Sequence, residues 1–331
     1  HSRIPDSRNR SMNIFLTGSA GFIGYHLATR LLKSGHTVTG FDSVNDYYDV
    51  KLKHARLEAL EKYPRFTFCK GDLTDTKLLA DAYRACSPDR VVHLAAQAGV
   101  RYSIENPKAY IDSNLVGFQN VIELVREWKP ENFIYASSSS VYGGNKKLPF
   151  SESDDTSNPI SLYAATKMSN ELVAKSYSHL YKIPSVGLRF FTVYGPIARP
   201  DMAIYKFAEL MRKGEPIPVF NQGRMIRDWT FVDDIVDGII ASLAKPEYGQ
   251  IYNLGKGKPD MLADMIAMLE EFLGIKAKQD FLPMQMGDVE ATHADVSKAR
   301  TNLGYEPKTT LQQGLKIFCD WYRTYHKQGH Q

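Results

Sequence analysis

Cysteine is scarce: the 331 residues hold three, Cys69, Cys86 and Cys319, far apart and with no CxxC pair or histidine cluster beside them. That spacing excludes a disulfide-stapled scaffold and offers no zinc site, so no metal is expected and a reducing, cytoplasmic compartment fits. No uncharged apolar run approaches the roughly 18 to 20 residues that span a bilayer, so no membrane partner is expected. Blocks of one charge sign are missing too: 41 Lys and Arg stand against 37 Asp and Glu, a formal net charge of +4 scattered along the chain. Without a basic stripe, nucleic acid is not an expected partner. Residues 1–11 are polar and Arg-rich, have no signal-peptide apolar stretch, and read as an extraneous leader ahead of a natural start at Met12.

What the chain does have is an alternation. Short β-branched or aromatic runs at 13–17, 37–42, 66–70, 90–95, 132–137 and 184–191 alternate with helix-period segments such as 24–34, 78–85 and 114–128. The runs are apolar on both faces, which predicts an α/β fold with a doubly wound parallel (Rossmann) sheet covered by helices on both sides. After Gly195 the prolines crowd together, from Pro196 and Pro200 to Pro259 and Pro283, and the segments shorten. A smaller C-terminal α/β lobe is expected there. The apolar stretch 231–244 reads as a buried helix returning to the first lobe. The expected division is a dinucleotide-binding domain over 12–191, rejoined by 231–255, and a substrate-binding lobe over 192–230 and 256–331.

Thr17-Gly18-Ser19-Ala20-Gly21-Phe22-Ile23-Gly24 lies between the first strand and an amphipathic helix. In that context the glycines permit a tight turn, close approach of backbone N–H groups to a pyrophosphate, and close helix packing. Asp42 ends the second strand, where a carboxylate accepts from a ribose and repels a 2′-phosphate, favouring NAD over NADP; the alternative is a cap of the next turn. Asp72 is open between an adenosine contact and a helix N-cap. Tyr163 and Lys167 are four residues apart, one turn apart on a helix face, where the ammonium is expected to lower the phenol's pKa and to reach ribose hydroxyls. Upstream, a strand end carries Ser137, Ser138, Ser139 and Ser140, where open α/β sheets place their ligands.

Taken in this order, these motifs resemble the extended short-chain dehydrogenase/reductase family from residue 13 to about 325. The resemblance implies Ser138, Tyr163 and Lys167 as the catalytic set, with Ser138 placed by counting back from Val141-Tyr142-Gly143. It implies NAD contacts from Gly18, Gly21, Phe22, Ile23, Gly24, Asp42, Asp72, Leu73, Leu94, Ala95, Ala96 and Phe190 besides Tyr163 and Lys167. The family's dehydratases follow the hydroxyl residue with Asp-Glu; Ser139-Ser140 stands here, which disfavours loss of water. Arg227, followed by Asp228-Trp229, matches the arginine that clamps the substrate's diphosphate. Asp288 resembles the ribose-contacting acid, or else makes a routine Gly-Asp turn.

Within that family, the stretches 44–49, 95–103 and 189–203 are similar to UDP-glucuronate 4-epimerases. Thr192 stands where neutral-sugar epimerases usually carry Asn, and Ile197-Ala198 where many relatives have Trp-Gly. A uronate carries a carboxylate on C5, and Thr192, Ser139, Ser140 and Arg199 are the groups expected to hold it, although each alone is also an ordinary strand-end, loop or surface residue. Gln97 and Arg101 are further substrate contacts on this reading, whereas His93 and Arg189 read as satisfied buried groups. The resemblance implies C4 epimerisation of a UDP-uronic acid on tightly held NAD through a 4-keto sugar. It implies a homodimer built on helices at 107–128 and 162–181, supplying polysaccharide synthesis. The rivals are a UDP-glucuronate decarboxylase, a 4-epimerase of another UDP-hexose, and a non-catalytic NAD-binding scaffold.

Overall fold

A computed structural model describes residues 10–285 and 287–327, so of the leader segment only Arg10 and Ser11 lie inside the described residues. The chain alternates β1 (Asn13–Thr17), α1 (Phe22–Lys33), β2 (Thr37–Asp42), α2 (Val50–Leu60), β3 (Phe66–Lys70), α3 (Thr76–Cys86) and β4 (Arg90–His93). Short turns of helix follow, α4 (Tyr102–Glu105) and α5 (Pro107–Tyr110), then α6 (Gly117–Trp128), β5 (Asn132–Ser138), α7 (Leu162–Tyr181) and β6 (Ser185–Phe190). Next come β7 (Thr192–Tyr194), α8 (Ala203–Lys213), β8 (Ile217–Phe220), β9 (Ile226–Arg227), β10 (Trp229–Phe231) and α9 (Val232–Ala244). The chain closes with β11 (Gln250–Leu254), β12 (Asp260–Met261), α10 (Leu262–Leu273), β13 (Gln279–Leu282), α11 (Ser297–Leu303) and α12 (Leu311–Lys327).

Among the described residues, seven strands form a parallel sheet in the order β11-β6-β5-β4-β1-β2-β3. Every residue of β5 and β6 is buried, as helices on both faces require. The winding direction reverses between β1 and β4, which opens a crevice at their carboxyl ends. There Thr17 and His93 hydrogen-bond through Oγ1 and Nδ1 at 2.8 Å. Burial, with the charge of Lys167, pushes the His93 imidazole down to about 3, so it stays neutral. The run expected at 90–95 leaves the sheet after His93, because the next two N–H groups turn to Thr17, on its carbonyl and its hydroxyl.

Strand β11 lies beside β6, and α9 packs on α1 and β5, so this stretch returns across the sheet. The rest of the C-terminal part pairs β7 with β10, β8 with β13 and β9 with β12, and packs α10 between α8 and α12. An apolar core runs through both parts, from Ile14 and Leu188 through Val232 to Met211, Leu269 and Phe318. Two elements depart from the periodicity. Helix α2 buries Lys53 and Arg56 along with its leucines, so no apolar stripe marks it. The helix expected across 107–128 is interrupted by a wider π-type turn at Ile111–Val116. There the Asn114 carbonyl accepts from Asn170 Nδ2 at 2.7 Å, and its side chain accepts from Gln97 N at 2.8 Å and donates to the Gln97 carbonyl at 3.0 Å, which draws it out of the α ladder. Among the described residues no helix is long and apolar enough to cross a membrane.

Candidate active site

Strand β1 runs into the turn 18–21, where Gly18 has φ +77°. A Cβ on Gly24 would lie 2.0 Å from the Gly18 carbonyl oxygen, and one on Gly18 would lie 2.7 Å from the Ala95 nitrogen. Helix α1 starts at Phe22 with no side chain capping it, so its first N–H groups and the positive end of its dipole are left for an anion. Gly24→Ala is therefore expected to displace the turn, cost roughly 1–3 kcal/mol of stability and strip the protein of co-purifying nucleotide. Full nucleotide content after acid release would contradict this.

The cleft at this point measures about 500 Å³, within the range of small-molecule sites. Its lining includes Gly18, Gly21, Phe22, Ile23, Gly24, Asp42, Asp72, Leu73, Leu94, Ala95, Ala96 and Phe190, together with Gln97, Ser138, Ser139, Ser140, Tyr163, Lys167, Thr192, Arg199 and Asp288. Tyr47, Tyr48, Lys53 and Met202 line it as well. The sequence signals the two tyrosines by their place in the resembling stretch 44–49 just after Asp42, where the loop from β2 to α2 must border the crevice.

Asp42 Oδ1 accepts from Val44 N at 2.8 Å and Oδ2 from Ala20 N at 3.0 Å, which ties the glycine turn to the loop after β2. Each oxygen keeps a lone pair for a ribose hydroxyl. Burial pushes this carboxyl up, against the pull of the Val44 N–H and the Lys53 charge. Asp72 accepts from Thr74 N at 2.8 Å and Thr74 Oγ1 at 2.6 Å, while the N-cap of α3 is Asp75, bonded to Leu78 N. The capping alternative for Asp72 therefore passes to its neighbour.

Ser161 caps α7 by accepting from Ala164 N at 3.1 Å, which sets Tyr163 in the first turn and Lys167 one turn on. Ser138 ends β5, and its Oγ lies 3.1 Å from both the N and the Oγ of Ser140. Burial raises the Tyr163 phenol, opposed by a hydrogen bond to Ser138 and by the charge of Arg199. Lys167, one turn on, faces the strand. Its ammonium is buried and donates to the Ala136 carbonyl of β5 at 2.8 Å. Behind it, Glu171 is held by Arg189 through two hydrogen bonds of 2.9 and 2.7 Å and by Ser137, a satisfied buried pair.

Burial also pulls the Lys167 ammonium down to about 8, against the charge of Glu171. Between that value and the ordinary lysine value, the unfolded chain binds a proton that the folded chain has lost. Stability should rise with pH across this window, with the full penalty present below it, a term of at most about 3 kcal/mol. Lys167→Met is expected to flatten that rise in thermal melts between about pH 8 and 10; two parallel series would contradict it.

Thr192 opens β7 at the cleft. Arg199 is largely buried and is gripped by Asp201 through Nε to Oδ1 (3.0 Å) and Nη2 to Oδ2 (2.5 Å); Asp201 also accepts from the Tyr47 hydroxyl at 3.2 Å. Arg199 is thus no solvated surface residue. Arg101 donates to Asp288 at 2.9 Å. Arg227 donates to the carbonyls of Ile226, Val289 and Glu290 at 2.7 to 3.2 Å, and its charge is depressed by burial and supported by Asp288. The structure therefore groups Arg101 and Arg227, which are not among the residues lining the cleft, around Asp288, which is.

Sheet topology, glycine turn and a Ser/Tyr/Lys set at one crevice define a dinucleotide-dependent enzyme of the short-chain dehydrogenase/reductase class. The sequence profile of the NAD dependent epimerase/dehydratase family matches residues 14–255, and the chain belongs to that family. It is 48% identical to protein CapI of Staphylococcus aureus over 96% of this chain and all of that protein. It is 44% identical to UDP-glucuronate 4-epimerase 4 of Arabidopsis thaliana over 98% of this chain and 78% of that protein. Among solved structures it is similar to UDP-glucuronic acid 4-epimerase from Bacillus cereus in complex with UDP-glucuronic acid and NAD: TM-score 0.89, 37% identity, 94% of this chain and 99% of that one. The glycine cradle, the uncapped start of α1 and the acid ending β2 fit NAD. The turn would hold its pyrophosphate, and Asp42 its adenosine ribose.

Proposed function

We propose that the protein interconverts UDP-glucuronate and UDP-galacturonate on tightly held NAD. The reading is carried by one observation: the cleft that holds Ser138, Tyr163 and Lys167 also holds Thr192 and Arg199. A cation and a hydroxyl for a carboxylate thus border the proton-transfer groups, on a chain similar over nearly its whole length to enzymes named for this substrate. Tyr163 as phenolate takes the proton of the sugar 4-hydroxyl, and Ser138 holds the same oxygen. NAD, when bound, would supply the acceptor and donor for the C4 hydride. The 4-keto sugar turns about its link to the diphosphate and presents its other face, and Tyr163 hands the proton back to the inverted alcohol. Asp288 and Arg227, with Gln97 and Arg101, serve the nucleotide end of the substrate; Ser139, Ser140, Thr192 and Arg199 serve the carboxylate.

The same reading makes the enzyme a cytoplasmic homodimer that supplies uronate for polysaccharide. All three cysteines are free thiols, which suits a reducing compartment. Ile111, Val116, Leu172, Leu180 and Tyr181 expose apolar surface on the π-type turn before α6 and on α7, a face that a second copy would cover. Sedimentation should give twice the chain mass; 37.4 kDa at micromolar concentration would count against the dimer.

The test is incubation with UDP-glucuronate, without added nucleotide, and identification of the products by NMR. UDP-galacturonate at constant total uronate is the expected result. UDP-pentose with carbon dioxide would make the protein a decarboxylase, and no turnover with NAD supplied would favour another sugar or a scaffold.

A further inference from the structure

Arg56, on α2, is fully buried, at 0% exposure, and among the described residues no carboxylate pairs with it. Nη1 donates to the Ala20 carbonyl at 2.8 Å and the Tyr48 hydroxyl at 2.6 Å; Nη2 donates to the Ile197 and Ala198 carbonyls at 2.7 and 3.4 Å. Its Nε is buried without an acceptor. Burying a guanidinium whose hydrogen-bond partners are all neutral is costly, and an apolar side chain would fill the same space with less penalty.

What an apolar side chain could not do is join these loops. Ala20 belongs to the glycine turn and donates its own N–H to Asp42, so this stretch of backbone is clamped between a carboxylate and a guanidinium. Ile197 and Ala198 immediately precede Arg199. Ile197 has φ +54°, a left-handed backbone that a β-branched residue adopts only under constraint. Arg56 at the Ile197 carbonyl, and His26 of α1 at the Pro196 carbonyl (2.9 Å), supply that constraint.

We infer that Arg56 is a positioning residue that couples the cofactor turn to the loop carrying Arg199, so that the grip on the sugar carboxylate depends on the seating of the turn. The inference rests on the uronate reading above. Arg56 is not among the residues lining the cleft, so it acts through the two loops and not on the reacting atoms.

Two variants test this. Arg56→Lys keeps the charge but reaches only one loop; Arg56→Met removes the charge and both links. In each, the ratio of UDP-pentose to epimer should rise about tenfold, the loss of one hydrogen bond to a charged group. The KM for UDP-glucuronate should rise with it, and co-purifying nucleotide should fall further in Arg56→Met than in Arg56→Lys. Variants that melt lower but keep the product ratio, the KM and the nucleotide content would overturn the inference and leave Arg56 a packing residue. Should Arg56→Met fail to fold, Arg56→Lys alone decides. If the unaltered protein makes no epimer, the uronate reading fails instead. Nucleotide loss from folded Arg56→Lys would then still support the link between the loops, and full retention would overturn it.

Discussion

Tyr163→Phe is expected to lower kcat by about 10³-fold, within the usual span for removal of a general acid–base group, while the KM for UDP-glucuronate and the bound nucleotide stay near their original values. The substitution removes one oxygen and little else. The ring stands edge-on to Tyr110, with centroids 6.1 Å apart, and Phe preserves that contact. The helix around it is set by the Ser161 cap and by Lys167 on the Ala136 carbonyl, neither of which uses the phenol. The Ser138 hydroxyl and the charge of Arg199 both favour the phenolate that burial opposes. Ser138→Ala, which leaves the phenol in place, should cost less, on the order of tenfold. A Tyr163→Phe enzyme within tenfold of the original kcat would remove the phenol from the proton-transfer role.

The sheet and the cofactor side of the cleft are legible in the sequence because both are local. Strands β1, β2 and β3 fall on the expected runs because β-branched and aromatic residues favour the extended backbone, and Gly18, Gly21 and Gly24 are readable because only glycine fits where a Cβ would strike backbone. Features that depend on distant partners are not legible. Arg101 and Asp288 are 187 positions apart, and nothing in one chain foretells that they bond to each other. The four-residue spacing of Tyr163 and Lys167 places them on one face but does not say where the ammonium turns. Asp72 and Asp75 offer the same chemistry for a cap, and only the backbone path chooses Asp75. Helix α2 stays hidden because Lys53 and Arg56, buried for polar contacts, erase the apolar stripe that would have announced it.

Arg199→Met should change which product forms as well as how fast. Once C4 is a ketone, the C5 carboxylate makes the sugar a β-keto acid, and carbon dioxide leaves when the bond from C5 to the carboxylate carbon lines up with the ketone π system. A carboxylate held near the carbonyl plane keeps that overlap poor. Arg199 can supply the restraint because Asp201 takes only two of its five N–H groups while fixing the guanidinium at the cleft. Removing it leaves a partly buried anion without its cation, a loss of about 2–5 kcal/mol. Epimerisation should therefore fall by about 10²-fold or more, with UDP-pentose rising from a trace to a major share of the product. Asp201→Asn keeps the cation but loosens its tether, so its ratio should lie between the two. Thr192→Val should shift the ratio in the same direction with a smaller loss of rate. Equal loss of both products in Arg199→Met would mean that the arginine binds the substrate without steering the carboxylate, and control of decarboxylation would then fall to Ser139, Ser140 and Thr192.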